Sequence, residues 1–562
     1  MSVDLHTSVD LADHARSALA RSGAAPSEWK FEPAERVEWA VARFDGGDQA
    51  GAAEELTACL DGFLPKEFAE AAPRILTGEQ AVRVVAAALD GEHPYRSFAS
   101  GHNGPGHAVA GTLARLAAGN AEAEAALLRA VLVVRPNEEH MWASHRQARI
   151  SAVLAALAEA HAGEPEILDR WSALLDGTDR PSLAAAAALW GPLGLAETDR
   201  RCETVREVDG ERLVAAFVAA DRFDDALTLA TRLGPRSQQR ALLTLATPGL
   251  SAARAKALVA AFRRCPKGGR DRDQQMVYQH RFARLFLALD RVDDALAVLG
   301  RMRDCRVSGY GPGPLALEVV RWLDGRREAV TPERLRAVLE ALAGPGVIPQ
   351  ELAAVVAEVV PLVYPLADEE LRAEIVDVHV PRLRGRVGNW RPSRLMVDAG
   401  LGAALVETGD ATALDPVFTA AVAGRTDSRL SLVLGRLAIH TGLVARDREL
   451  FTRLVAGALS EGYWRYGEAL LPALDAEART VVPDVVAAVP VEGRRYVVAG
   501  VARFAEHVGE PGLLAAMLDL APDAASTCRT AARVAMMLAR RGELSTALDV
   551  ARRCGLVGGK PG

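Results

Sequence analysis

Histidine is the side chain whose placement first suggests chemistry. Six of the 12 histidines fall between residues 93 and 161: His93, His102, His107, His140, His145 and His161. Imidazole binds transition metals and titrates near neutrality, so such a cluster could serve a metal centre or an acid–base pair. The run Ser100-Gly-His-Asn-Gly-Pro-Gly-His107 has too many glycines and prolines to continue a helix, so it reads as a loop feeding a helix near Ala108. Backbone N–H groups at a helix start can hold an anion. His102 and His107 are therefore candidates for a metal- or phosphate-handling site, with His140 as a further ligand. Two observations oppose this reading. His140 and His145 are five apart, which places them on different sides of a helix, and the H-E-x-x-H pattern is absent. Ordinary turn and capping histidines are the simpler expectation.

The remaining motifs offer catalysis little. Gly309-Tyr-Gly-Pro-Gly313 has the outline of a phosphate loop, but no strand precedes it, no Lys-Ser/Thr follows, and Pro312 removes an N–H donor. It reads as a long turn between helices. No G-x-S-x-G elbow occurs, and none of the 73 acids is paired by a telling spacing. Cys59, Cys202, Cys265, Cys305, Cys528 and Cys554 contain no C-x-x-C pair, which argues against a zinc ribbon and for reduced thiols in the cytoplasm. The expectation is a chain with no cofactor that is not an enzyme.

Binding chemistry has more support. Arg254, Lys256, Arg263, Arg264, Lys267, Arg270 and Arg272 cluster with Asp271 as the one acid among them. Arg382, Arg384, Arg386, Arg391 and Arg394 cluster around Trp390. Arginine beside an aromatic ring suits phosphate and base contacts, so Arg263, Arg264, Lys267, Arg270, Arg382, Arg384, Arg386 and Arg391 are the nucleic-acid candidates. Solvated outer faces of an arginine-rich protein are the plainer account. Tyr463, Trp464 and Tyr466 flank Arg465 and are the candidates for contact with a protein partner.

These residues must be carried by helices. Apolar residues recur at i, i+3, i+4, i+7 along most of the chain, as at Leu430, Val433, Leu434, Leu437 and again at Leu450, Phe451, Leu454, Val455. His440-Thr441-Gly442 stops the first helix, and Asp447 supports the start of the next. Turns at Gly409, Gly442, Asp475, Gly509 and Gly542 are separated by 33, 33, 34 and 33 residues. Apolar positions recur eight, five and four residues before each turn, which are neighbours on one helix face. The third unit fits worst, with Gly467 in a core slot and Pro472 late in its first helix. The register also assigns helix to the valine-rich stretch Thr480 to Val501, the best strand candidate.

Two upstream segments resemble each other closely: Ala220-Asp-Arg-Phe-Asp-Asp-Ala-Leu-Thr-Leu229 and Leu289-Asp-Arg-Val-Asp-Asp-Ala-Leu-Ala-Val298. Near the C-terminus Arg541-Gly-Glu-Leu-Ser-Thr-Ala-Leu-Asp-Val550 repeats the pattern. These units resemble the tetratricopeptide repeat. Phe223 with Ala226, Val292 with Ala295 and Leu544 with Ala547 match the family's second half-motif. Leu213 and Phe217, Phe282 and Phe286, Val534 and Leu538 match its first-helix core. The family's first-helix glycine is replaced by Val214, Ala283 and Ala535, and its closing proline is missing. The resemblance implies an α-solenoid of stacked helical hairpins whose exposed surface binds a protein segment.

Length and composition frame this expectation. The chain has 562 residues, 50% of them hydrophobic, 25% charged and 5% aromatic, which excludes a disordered chain. Its net charge of -7 and pI near 6.0 argue against a globally basic nucleic-acid coat. Of 66 basic residues only Lys30, Lys66, Lys256, Lys267 and Lys560 are lysine, a bias that bacterial-type genome composition explains as readily as function. No secretory signal or membrane span is expected. The regions read as irregular helices over 1–180, tetratricopeptide-like hairpins over 181–330 and a regular hairpin array with a period of 33–34 over 331–562. The expected function is a non-catalytic cytoplasmic scaffold binding a protein. The alternatives are a nucleic-acid-binding helical repeat and a metal- or phosphate-dependent enzyme at His102 and His107.

Overall fold

The computed structural model describes residues 8–23, 31–59, 66–89, 106–132, 152–153, 155–161, 195–196, 207–267, 271–302, 309–344, 347, 349–424, 427–460 and 468–557. Among these residues there are 28 α-helices and no strand, so the fold is all-α. The chain forms two compact units, Met1–Leu245 with Thr527–Gly562, and Ala246–Ser526.

The first unit opens with α1 (Ser8–Ser22), α2 (Pro33–Asp45), α3 (Gln49–Ala58), α4 (Lys66–Ile75) and α5 (Gly78–Leu89). It continues with α6 (Gly106–Ala117), α7 (Ala121–Leu132), α8 (Glu207–Ala219), α9 (Phe223–Arg232) and α10 (Pro235–Thr244). The second unit begins with α11 (Ala252–Arg264), α12 (Arg272–Ala288), α13 (Val292–Leu299), α14 (Pro312–Asp324) and α15 (Pro332–Ala343). Next come α16 (Pro349–Leu366), α17 (Glu369–Glu374), α18 (Val380–Arg386), α19 (Arg391–Glu407) and α20 (Asp415–Val422). The second unit then runs through α21 (Ser428–His440), α22 (Leu443–Arg446), α23 (Arg448–Ser460), α24 (Ala476–Ala488), α25 (Val491–Val508) and α26 (Pro511–Leu520). Two helices close the chain, α27 (Ala524–Arg540) and α28 (Leu544–Arg553). From Thr527 onward these belong to the first unit.

Packing follows chain order, as in a solenoid. Among the described residues of the second unit, successive helices pair as hairpins, α12 on α13 and α25 on α26, and hairpins stack on their neighbours through pairs such as α14 on α16, α16 on α19 and α24 on α26. A shared helix ending sets many of the turns. Arg222 N–H donates to Phe217 O at 2.8 Å across Asp221 (φ 54°), and Arg291 N–H donates to Phe286 O at 2.8 Å across Asp290 (φ 56°). The same six-to-one bond crosses Gly47, Gly409, Gly509 and Gly542, each at positive φ. This is the Schellman ending, in which a left-handed residue lets the chain reverse while the last carbonyls stay bonded. Two aspartates thus do what glycine does elsewhere. In both cases the following arginine reaches forward to an acid in the first turn of the next helix, Arg222 Nε to Asp225 and Arg291 Nε to Asp294, each at 2.7 Å.

The register is mostly a buried face. Leu434, Val501, Val534, Ala404, Ala438, Ala505 and Leu538 are fully buried, whereas Leu401, Leu405 and Leu437 are half-buried. The third unit departs as its glycine and proline suggest, with a 3₁₀ segment over Glu468–Ala473 where others have an α-helix. Its turn residue Asp475 is an N-cap, accepting from Ala478 N–H at 2.8 Å, rather than a left-handed residue. The valine-rich stretch is helical, divided between α24 and α25 at Pro490. Ala226 and Ala295 are fully buried where paired helices close, and Ala547 is fully buried on α28.

Candidate functional site

The site begins at the end of α11. Ser251 caps this helix by accepting from Arg254 N–H at 3.3 Å, and Leu258, Val259, Ala261 and Phe262 are buried. That orientation leaves Arg263 and Arg264 exposed in the last turn, where cations oppose the negative end of the helix dipole. Lys267 follows, also exposed. On α12, Gln275, Tyr278, Gln279 and Phe282 share one face by their spacing. Together with Val298 and Arg301 at the end of α13, they line a groove of about 880 Å³.

The floor of the groove is aromatic and closed on itself. The Phe262 ring lies 5.5 Å from Tyr278 and 5.4 Å from Phe282, and Phe282 lies 4.5 Å from Phe286. Tyr278 Oη donates to Phe262 O at 3.4 Å. Burial pushes the Tyr278 hydroxyl above its ordinary pKa and the Cys265 thiol up to about 11, against the opposing field of Arg263 and Arg264 respectively. Cys265 therefore stays a thiol that donates to Ala261 O, not a nucleophile.

The rim is cationic. Arg263, Arg264, Lys267 and Arg301 stand around the groove, and no acid is among its described lining residues. None of the four is in a salt bridge with a described residue; Arg301 Nε donates to Ala297 O at 2.8 Å. Gln279 Oε1 is buried and accepts no hydrogen bond from the described residues. The groove thus offers positive charge at its edge.

The sequence candidates divide sharply. Arg263, Arg264 and Lys267 meet in this groove; Arg270 lies outside the described residues. The second arginine cluster is largely engaged in holding the fold. Arg384 pairs with Asp398 at 2.7 Å, and Arg386 donates to Val347 O at 3.1 Å. Arg391 donates to Ala420 O at 2.5 Å, and Arg394 donates to Gly388 O and Asn389 Oδ1. Arg382 is exposed, as is Trp390 at 53%.

His102, His140, Tyr463, Trp464 and Tyr466 lie outside the described residues, as does the side chain of His107. Of the histidine-rich region, His161 is described, bonded through Nε2 to the buried Glu124 at 2.8 Å. No group of three or more metal-ligating side chains is found among the described residues. The Gly309–Gly313 run is held down on α12: Arg281 donates to Tyr310 Oη at 3.3 Å, and the His280 ring meets the Tyr310 ring edge-on at 5.2 Å. Pro312 begins α14, as its fixed φ and missing N–H suit.

Sequence reading missed Arg301, Gln275 and Gln279. The sequence carried no signal for Arg301, because it is the packing of α13 on α12 that brings it beside the α11 pair.

No protein-family model and no curated protein matches the chain. Among solved structures, one titled "Circular tandem repeat protein with novel repeat topology and enhanced subunit contact surfaces" is 14% identical. The match covers 96% of this chain and 99% of that one, with a TM-score of 0.13, a value too low to carry an argument about fold or function.

Proposed function

We propose that this chain is a non-catalytic, cytoplasmic helical-repeat scaffold that binds a protein segment. The observation that carries this reading is the groove between the end of α11 and the α12–α13 hairpin, with its four cations and no described acid. Consecutive hairpins expose long surfaces that suit extended partners. The hairpins α8–α9, α12–α13 and α27–α28 are read as tetratricopeptide-type units, supported by their buried Ala226, Ala295 and Ala547. Among the described residues no helix is long and apolar enough to cross a membrane.

Nucleic-acid binding is the second reading, favoured by Arg263, Arg264 and Lys267 meeting in one groove. It is weakened at the second arginine cluster, where backbone carbonyls and Asp398 already engage the guanidinium groups. The test is affinity capture with the full chain against the doubly reversed variant Lys267→Glu with Arg301→Glu. The scaffold reading expects a protein recovered by the native chain to fall at least about tenfold with the variant. Recovery of nucleic acid alone, or of the same proteins by both chains, would refute it.

A further inference from the structure

We propose that the groove between α11, α12 and α13 binds an extended acidic polypeptide segment, its carboxylates on the arginine rim. This rests on the scaffold reading and specifies the chemistry of the partner. Two observations carry it. Arg263 and Arg264 approach from α11, and Arg301 from the end of α13, so positive charge faces the groove from two sides with no described lining acid to neutralise it. Guanidinium forks bind carboxylates in paired, charge-assisted hydrogen bonds.

The second concerns the aromatic rings. Base recognition on single strands relies on exposed rings as stacking platforms. Here Tyr278 is buried, and Phe262, Tyr278, Phe282 and Phe286 pack on one another. The chemistry of the rim suits an anion, and the closed aromatic floor favours a carboxylate-bearing peptide over a stacked base.

The test is fluorescence anisotropy on the full chain with four labelled probes: a Glu/Asp-rich peptide of about twelve residues, its Gln/Asn isostere, a basic peptide and a thymidine oligonucleotide. The acidic peptide should bind at least about tenfold tighter than its isostere, and raising salt from about 0.05 M to about 0.5 M should weaken it by a similar factor. Arg263→Gln with Arg264→Gln should reduce that affinity at least about tenfold, and Arg301→Gln should reduce it from the other side of the groove. Arg301→Gln keeps the test valid if the α11 pair proves important for folding. Tighter binding of the oligonucleotide, equal binding of the isostere, or indifference to both arginine variants would overturn the proposal. The two readings fail separately: a captured protein whose contact segment is not acidic sinks this inference and leaves the scaffold standing.

Discussion

At the scale of single residues, two glycines show different reasons for the same residue type. Gly542 has φ of 80° and open space where a Cβ would stand, so its requirement is purely conformational. Gly542→Ala should cost about 1 kcal/mol in stability by denaturant titration. Gly46 has an ordinary φ of -82°, but a Cβ there would lie 1.9 Å from the Ala539 carbonyl oxygen. Gly46→Ala must push α27 away and should cost clearly more, about 2 kcal/mol or above. The thiols form a second prediction at this scale. Cys59, Cys265, Cys528 and Cys554 are buried, with burial pushing their thiols to about 12, 11, 11 and 12. At pH 8 a thiol reagent should leave these four largely unmodified in the native chain and modify them promptly in denaturant. Fast native labelling of any of the four would contradict the packing described.

At the scale of elements, neighbouring repeats are joined by paired charges across helices. Arg334 holds both Asp293 oxygens at 2.8 Å and so links α15 to α13, while Arg336 holds Glu374 at 2.7 Å and links α15 to α17. The Arg334 hydrogen bond keeps the Asp293 carboxyl below its ordinary value of 3.8. In that situation the unfolded chain takes up its proton first as pH falls. The stabilisation is therefore present above the ordinary value and lost as pH drops through the lower folded value. Asp293 is largely exposed, so the effect is within about 1 kcal/mol. Asp293→Asn should lower the thermal midpoint slightly at neutral pH and have no effect at acidic pH where the native carboxyl is protonated. The period, the caps and the helical character of the valine-rich stretch were legible in sequence at this scale, because each depends on residues within a turn or two. The 3₁₀ segment at Glu468–Ala473 was signalled by Gly467 and Pro472, though its geometry was not.

At the scale of the whole molecule, the chain's two ends share one unit. Arg529 lies 3.5 Å from Glu35, Arg533 pairs with Glu38, Arg540 lies 3.6 Å from Asp45, and Arg16 lies 3.0 Å from Asp549. Acids of α2 thus meet arginines of α27 along both helices, while α28 packs on α1. Arg533 is among the few charged residues nearly excluded from solvent, and removing it takes the paired charge away from Glu38. Arg533→Ala should lower stability by about 3 kcal/mol, and the double variant Arg533→Met with Glu38→Leu should recover much of it; calorimetry of the native chain and both variants checks this. Glu35 has the opposite pH sign to Asp293. Burial, opposed by the Glu32 N–H and by Arg529 and Arg533, holds its carboxyl above the ordinary 4.5. The unfolded chain then loses its proton first, so this group removes stability as pH rises through the raised folded value.

The helices, their caps and the repeat period follow from the order of residues alone, since they rest on local spacing and on backbone conformations that specific residues permit. The same order marks Arg263, Arg264 and Lys267 as cations of interest. Which arginines remain available is settled by the folded chain: the second cluster looks equal in composition, yet its guanidinium groups meet backbone carbonyls and Asp398 contributed from beyond the cluster. Likewise it takes packing to place Arg301 and Gln279 beside the α11 pair and to bring Arg529, Arg533 and Arg540 to the acids of α2. The physical reason is the same throughout: helix formation is governed by near neighbours in the chain, whereas the engagement of a charge depends on groups that approach it from distant segments.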